Sequence, residues 1–268
     1  MKTSNIFTII ALTLIIVLIG GIGYGYYKKA TMEVKNPIVT MEVQDYGTIK
    51  LELYPEIAPE AVANFVTLAK NGYYDGTKFH RVVSGFMIQA GQGTKNASPK
   101  LSDLGIEVSE GEDREYCIKG EFLANNYNKN TLKHKKGVIS MARADYTSYS
   151  SALATESYNS ASAQFFIMTA DTSSLDGLYA PFGRVIEGLD IVEKIEKVEV
   201  KIDGEENMKE EEKAQAEKSK PVNDVVITKV TVDTFGEDFG KPETLKTWDY
   251  YQWVKETYGI DLKQTITQ

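Results

Sequence analysis

The sequence has few of the side chains that metal and nucleophilic chemistry require. Its 268 residues include one cysteine and two histidines, which are Cys117, His80 and His134. A lone cysteine cannot form an internal disulfide, and a structural Cys/His zinc site takes about four such ligands. A Ser/His or Cys/His nucleophile would have to use one of these two imidazoles as its base. We therefore expect an activity without a metal ion or a covalent intermediate.

Positive charge is also scarce. Lys and Arg total 30 against 38 Asp and Glu, which gives a formal net charge of −8. An acidic chain without a basic stripe repels phosphate backbones, so we expect no nucleic-acid partner. The 42% hydrophobic and 25% charged residues are ordinary for a globular protein. The length suits one main domain with appendages.

A hydrophobic segment lies near the start of the sequence. No residue from Thr3 to Tyr27 is charged, and residues 6–23 are mainly aliphatic. About 20 such residues can cross the hydrocarbon layer of a membrane. We predict that residues 1–30 are a membrane anchor that spans through residues 6–23, with a cleaved signal peptide as the alternative. The signal-like N-terminus favours an extracytoplasmic position for the domain that follows.

Hydrophobic periodicity predicts a mainly β domain after a linker at residues 31–37. Alternation over residues 38–54 predicts a β-hairpin with one buried face. One helix is predicted to begin near Pro59, and a second to cover residues 189–195. Short apolar runs predict further strands at residues 79–83, 86–90, 137–141, 164–168, 181–186 and 224–232. Many strands with two helices predict a closed eight-stranded β-barrel capped by helices.

Polar stretches interrupt this pattern, and we interpret them as insertions at residues 92–120, 145–158 and 198–221. The third is a run of mixed charges that is typical of a solvated helical or disordered excursion. Residues 236–268 are predicted to form a C-terminal tail with a helix that begins at Pro242 and ends at Gly259. The tail helix could dock on the barrel or offer a surface to a partner.

Arg81 is the most unusual residue of the predicted strands. It stands among aromatic and thioether side chains, in the sequence Phe79-His80-Arg81-Val82-Val83-Ser84-Gly85-Phe86-Met87-Ile88-Gln89. A cation is costly to desolvate, so it needs a partner or a function at such a position. From these residues alone, an internal salt bridge and a functional site are both open.

Several segments, taken in chain order, closely resemble the cyclophilin family. They are Phe79 to Gln89, Ser140-Met141-Ala142-Arg143-Ala144, Asn159 to Gln164 with Phe165-Phe166-Ile167-Met168, and Leu175-Asp176-Gly177 through Gly183. The resemblance runs from about Val39 to Val232. It implies an eight-stranded barrel with two capping helices over residues 38–235, and a peptide groove on the outer face. It also implies peptidyl-prolyl cis/trans isomerase activity without a cofactor.

The resemblance also implies which residues form the site. The family's catalytic residues fall on Arg81, Gln89 and Phe86. Its substrate-binding residues fall on Met87, Ala142, Arg143, Ala144, Gln164, Phe166, Leu175 and Tyr179. An aromatic residue at the Tyr179 position is frequent in bacterial members, so the chain is expected to be bacterial-like. Ser174 stands where the family commonly has a bulky aromatic residue.

The partners implied by the resemblance are proline-containing peptides and unfolded protein clients, among them exported or surface proteins. We expect a monomer. One alternative is a proline-peptide-binding or chaperone module with little turnover, and another is a scaffold for a membrane assembly that acts through the tail and the charged insertion. His80 is interpreted as a packed structural residue. His134, which has a lysine on each side, is interpreted as a surface residue.

Overall fold

The computed structural model describes residues 12–15, 17–24, 35–94 and 97–262, and the chain divides into two units, Met1–Lys35 and Asn36–Gln268. In the first unit, residues 12–15 and 17–24 are helical. No helix among the described residues is both long and apolar enough to cross a membrane. The predicted membrane span lies in part outside the described residues.

The second unit contains the strands and five α-helices among the described residues. Its strands are β1 Ile38–Val43, β2 Gly47–Leu53, β3 Arg81–Val83, β4 Met87–Ala90, β5 Tyr116–Cys117, β6 Val138–Met141, β7 Phe165–Met168, β8 Pro181–Glu187, β9 Val200–Ile202, β10 Lys218–Pro221, β11 Ile227–Asp233 and β12 Leu245–Lys246. Its α-helices are α1 Pro59–Lys70, α2 Ala154–Tyr158, α3 Leu189–Ile195, α4 Glu210–Lys213 and α5 Tyr250–Tyr258.

Eight of these strands form one sheet in the order β11-β1-β2-β8-β6-β7-β4-β3. The predicted hairpin is β1 and β2, in which Met41 faces Ile49 and Val39 faces Leu51. These side chains are fully buried, because alternate residues of a strand point to the same face and that face covers the core. The mainly β architecture with an eight-stranded sheet is confirmed.

The prediction of a closed barrel is wrong, since the ladder is open between the edge strands β3 and β11. The two edges approach each other only through the segment before β3. Lys78 forms an isolated bridge with Val226, and the Phe79 N–H donates to the Val225 carbonyl at 2.9 Å. Gly76 has a φ of +81°, outside the extended region that a strand requires, so a longer ladder cannot form there.

The core lies between the sheet and helix α1. Pro59 occupies the first turn of α1, where a missing N–H costs nothing. Phe65 from this helix stacks on Tyr74 at 4.7 Å and meets Phe165 and Phe182 at 5.5 and 5.6 Å. Each such side chain contributes about 1.5–3 kcal/mol by burial, so the sheet is held from this face. Both predicted helices, α1 and α3, are present.

The charged insertion is more ordered than the sequence indicates. Its ends form the antiparallel pair β9 and β10, with Val200 opposite Pro221. The short helix α4 lies between them, and its residues Glu210, Glu211 and Glu212 are exposed. The interpretation as a solvated excursion is therefore wrong for the two ends of the insertion, because backbone pairing fixes them against each other.

The tail helix begins later than predicted. Helix α5 starts at Tyr250 because the Asp249 carboxylate accepts hydrogen bonds from the backbone N–H groups of Tyr251 and Gln252 at 2.8 and 3.2 Å. It ends at Gly259, as predicted, where φ is +70°. Before it, β12 pairs with β5, so this part of the tail is held by a strand instead of a helix.

Candidate active site

The pairing of β3 with β4 places the central residues of the site together. Arg81 lies opposite Gln89, and Val83 lies opposite Met87. Directly opposed residues of antiparallel strands have neighbouring side chains on the same face of the sheet. The guanidinium of Arg81 therefore reaches Gln89 and Met87, with Nη1 3.4 Å from the Gln89 Oε1 and 3.8 Å from the Met87 Sδ.

Strand β7 extends this face beyond β4. Phe166 lies opposite Gln89 on one side and Ser140 on the other. Phe166 belongs to a small apolar cluster that is separate from the main core and whose buried members are Met87, Val138, Phe166 and Met168. Partly buried side chains pack on it, among them Phe86, Leu175 and Tyr179. The outer face of the sheet thus carries an apolar floor beside the Arg81 guanidinium.

A cavity of about 210 Å³ opens above this floor. This volume is below the roughly 300–1,000 Å³ of sites for drug-sized ligands, so it suits a single side chain or small ring. Its lining residues are Arg81, Phe86, Met87, Gln89, Ala142, Arg143, Phe166, Leu175 and Tyr179. All of them are residues that the resemblance assigns to the site.

Two of the assigned residues do not line the cavity. Gln164 lies beside it and accepts a hydrogen bond from the Gln89 Nε2 at 2.8 Å, so the Gln89 amide oxygen is turned toward Arg81. The backbone N–H of Ala144 donates to the Ser160 hydroxyl at 2.8 Å. Roles for Ala144 and Gln164 in binding a peptide remain predictions.

Arg81 has a carboxylate partner that the sequence analysis did not identify. Its Nε and Nη2 donate to the two oxygens of Glu217, each at 2.8 Å. The side chains are 34% and 49% exposed, so this pair lies at the rim of the cavity and is reached by solvent. The hydrogen bonds from Arg81 lower the pKa of Glu217. Arg81 therefore forms a salt bridge and also lines the cavity, and its role as a functional residue stays a prediction.

Tyr179 and Arg143 form the wall at the other end of the cavity. The Arg143 guanidinium carbon lies 4.6 Å from the centre of the Tyr179 ring, within the range of a cation–π contact. The Arg143 Nε donates to the Leu178 carbonyl at 3.1 Å. The Tyr179 ring meets Phe166 edge-on at 5.7 Å. These contacts hold both side chains in place beside the apolar floor.

His134 supports the floor from below, and its interpretation as a surface residue is wrong. It is 1% exposed, although the lysines on each side of it are exposed. Its Nδ1 lies 3.1 Å from the Asp176 carboxylate, its Nε2 lies 3.1 Å from the Ser140 hydroxyl, and its ring stacks on Phe166 at 6.1 Å. Burial lowers the pKa of His134, so the imidazole is neutral at neutral pH.

The remaining candidate groups are not activated. Burial raises the pKa of the Cys117 thiol to about 11, which disfavours the reactive thiolate. His80 is half-buried, and burial lowers its pKa. Among the residues that the structure describes, no three His, Cys, Asp or Glu side chains lie close enough together to hold a metal ion.

Comparison with known proteins identifies a family. Residues 38–232 match the model of the cyclophilin type peptidyl-prolyl cis-trans isomerase/CLD family. A peptidyl-prolyl cis-trans isomerase of Helicobacter pylori is 36% identical over 183 residues, which cover 62% of this chain and 93% of that protein. A crystal structure of a Cryptosporidium parvum cyclophilin type isomerase in the presence of the dipeptide Ala-Pro matches with a TM-score of 0.51 and 25% identity, covering 73% of this chain and 98% of that one.

Other relatives are much longer than the matched region. The isomerase cyp15 of Rhizopus delemar is 39% identical over 155 residues, which are 58% of this chain and 20% of that protein. The isomerase CYP71 of Arabidopsis thaliana is 33% identical, with 69% of this chain and 23% of that protein covered. The relatives come from fungi, plants and bacteria, so they do not support the expectation that the chain is bacterial-like.

Proposed function

The chain belongs to the cyclophilin-type peptidyl-prolyl cis-trans isomerase family, and we propose that it accelerates rotation about X-Pro peptide bonds. The observation that carries the proposal is the Arg81 guanidinium at the edge of an apolar cavity whose floor includes Met87 and Phe166. A proline ring is an apolar group of suitable size for this cavity. Its imide nitrogen, which can accept a hydrogen bond only when the peptide bond is twisted, would then lie near the Arg81 guanidinium.

The lowering of the activation barrier can be compared with the stabilisation that Arg81 can supply. Rotation about an X-Pro bond breaks amide resonance, and the uncatalysed step takes about 10–100 s at 25 °C. An acceleration of roughly 10⁴-fold corresponds to about 5.4 kcal/mol. At the twisted transition state the nitrogen regains its lone pair, and one preorganised donor stabilises such a site by about 3–4 kcal/mol. The remainder comes from binding the twisted geometry more tightly than either planar isomer.

The surroundings of Arg81 suit this role. Nη1 points toward Gln89 and Met87, which both line the cavity. Its hydrogen bonds there are long, at 3.4 Å to the Gln89 Oε1 and 3.8 Å to the Met87 Sδ. The N–H groups of Nη1 can therefore exchange these weak hydrogen bonds for one to a bound peptide at little energetic cost. The buried rings below exclude water, and this strengthens any hydrogen bond that the guanidinium makes in the cavity.

The test is the Arg81→Ala variant of the full chain, assayed on a proline-containing peptide by NMR exchange or by a protease-coupled assay. We expect kcat/KM to fall by about 100-fold to 1,000-fold, with the unfolding transition unchanged. Arg81→Lys is the matched control, because it keeps the charge and loses the planar set of donors. A full-rate Arg81→Ala variant would remove Arg81 from the mechanism.

A binding module for proline peptides or unfolded exported proteins is the second candidate. The Glu217 carboxylate favours it, because it occupies two of the five guanidinium N–H groups of Arg81. A wild-type chain that binds a proline peptide in an NMR titration without accelerating its isomerisation would support this candidate over the enzyme.

We also propose that residues 1–30 anchor the protein in a membrane, with the isomerase domain on the extracytoplasmic side. The support is the uncharged stretch from Thr3 to Tyr27 and the exposed apolar side chains of the helical residues 12–15 and 17–24. The mass of the mature protein distinguishes a retained anchor from a cleaved signal peptide. Protease treatment of intact cells tests the orientation, since an extracytoplasmic domain is digested and a cytoplasmic one is protected.

A further inference from the structure

The charged insertion reaches the site. Strand β10 lies beside β3, the strand that carries Arg81, and Glu217 directly precedes β10. The pairing of β9 with β10 fixes the backbone on this side of the insertion. Glu217 is therefore presented to Arg81 from an ordered hairpin, across 136 positions of sequence.

The contact has the geometry of a bidentate pair. Two parallel hydrogen bonds of 2.8 Å join the Nε and Nη2 of Arg81 to the two oxygens of Glu217. A bidentate pair fixes the plane of a guanidinium as well as its position, which a single hydrogen bond does not.

Fixing one edge of a planar group also directs the other edge. With Nε and Nη2 held by Glu217, Nη1 is left facing Gln89 and Met87 at the cavity. Gln89 is itself held by Gln164. An arginine that is 34% exposed would otherwise exchange among many rotamers, most of which point its donors away from the cavity.

We propose that Glu217 is a positioning residue for the isomerisation, which holds the Arg81 guanidinium with its Nη1 edge toward the proline site. This inference rests on the proposed function. Glu217 contributes preorganisation, which matters most when the imide nitrogen gains its lone pair in the transition state. Its removal should therefore lower kcat more than it changes KM.

The test compares Glu217→Gln and Glu217→Ala with the wild type in the full chain. We expect kcat to fall on the order of tenfold, because a loosened catalytic group is in the productive position for a smaller fraction of the time. KM should change less than twofold. Glu217→Asp keeps the charge and should recover part of the lost kcat. Glu211→Gln, in an exposed glutamate of the same insertion, is the matched control and should keep the wild-type rate.

Two readouts separate positioning from a general structural effect. The Arg81 Nε–H resonance in a ¹⁵N NMR spectrum should shift in Glu217→Gln and stay in place in Glu211→Gln. In the Arg81→Lys background, Glu217→Gln should have no further effect on kcat, because the group to be positioned is gone.

The outcomes are distinct. An unchanged kcat in Glu217→Gln, or equal effects of Glu217→Gln in both backgrounds, would overturn the inference. An increased kcat would also overturn it, since the carboxylate would then compete with the peptide for Arg81. If instead the wild type and Arg81→Ala were equally inactive, the proposed function would fail, while the Nε–H resonance would still report the pairing.

Discussion

Two cavities of similar size lie on this domain, and they are built differently. The cavity of about 210 Å³ beside Arg81 stands on strands β3, β4 and β7, whose register places Arg81, Met87, Gln89 and Phe166. A second cavity of about 240 Å³ is lined mainly by residues of the first two insertions and the tail, and its full lining is Cys117, Tyr146, Thr155, Glu156, Asn159, Ser160, Leu245, Lys246, Thr247 and Trp248. The only strand pairing at this second cavity, among the described residues, is the two-residue ladder of β5 with β12.

Contacts between aromatic side chains provide most of the packing at the second cavity. Trp248 meets Tyr146 at 4.3 Å, Tyr149 at 5.5 Å and Trp253 at 5.8 Å. Strand pairing therefore positions the central residues of the cavity beside Arg81, whereas the second cavity depends mainly on side-chain packing beside one short ladder. Substitutions should therefore affect the two regions in different ways.

The largest effect is expected for Phe166→Ala. Phe166 is 4% exposed and packs between His134 and Tyr179, so the substitution removes the floor of the cavity beside Arg81. We expect a loss of about 4 kcal/mol in the free energy of unfolding, together with a large loss of isomerase activity. Urea unfolding and the peptide assay measure the two. Full activity in this variant would show that the floor is not part of the site.

The contribution of Glu121 to the stability of the fold should depend on pH. Glu121 follows the first insertion, is buried, and accepts hydrogen bonds from the N–H groups of Glu60 and Ala61 at 3.0 and 2.9 Å. Burial raises the pKa of Glu121 from 4.5 to about 7. The folded protein therefore binds more protons than the unfolded chain between these values, so this contribution to stability falls as pH rises through them.

We expect the free energy of unfolding of the wild type, relative to Glu121→Gln, to fall by up to about 3 kcal/mol between pH 5 and pH 8. Urea unfolding at several pH values measures this difference. The lowered pKa values of His80 and His134 act in the opposite direction, but they are common to both proteins and cancel. A difference that does not depend on pH would mean that Glu121 keeps its ordinary pKa.

The smallest effect is expected for Trp248→Ala, which changes the second cavity and not the one beside Arg81. Trp248 is half-buried and holds the tail to the second insertion. We expect a loss of about 2 kcal/mol in the free energy of unfolding, with kcat/KM within twofold of the wild type. The same two assays apply as for Phe166→Ala. A large loss of activity would show that the insertion and tail take part in the proline site.

The parts of the fold that follow a local period could be predicted from the sequence. Alternation gave the β1–β2 hairpin, and Pro59 marked the start of α1. The lining of the cavity followed from the resemblance to a family, since no local pattern brings Arg81 next to Leu175. The start of α5 differs from the predicted start at Pro242 because Asp249 caps the helix, and aspartate is among the best N-cap residues.

Long-range polar contacts could not be predicted. Glu217 is one of many charged residues in its insertion. It differs from the others in its contact with Arg81, which lies in a distant part of the chain. His134 is buried between exposed lysines because the Asp176 carboxylate and the Ser140 hydroxyl satisfy its ring nitrogens. Neither partner is adjacent in sequence, so a local pattern carries no signal of either contact.

The position of β1 in the sheet has a consequence for how the protein is made. Strand β1 lies between β2 and β11, and Ile38 pairs with Asp233. During translation one edge of β1 is therefore unpaired until β11 has been made, about 200 residues later. This takes roughly 10–40 s at about 5–20 residues per second. An unpaired strand edge can pair with other nascent chains. The newly made half-domain thus needs protection throughout that interval.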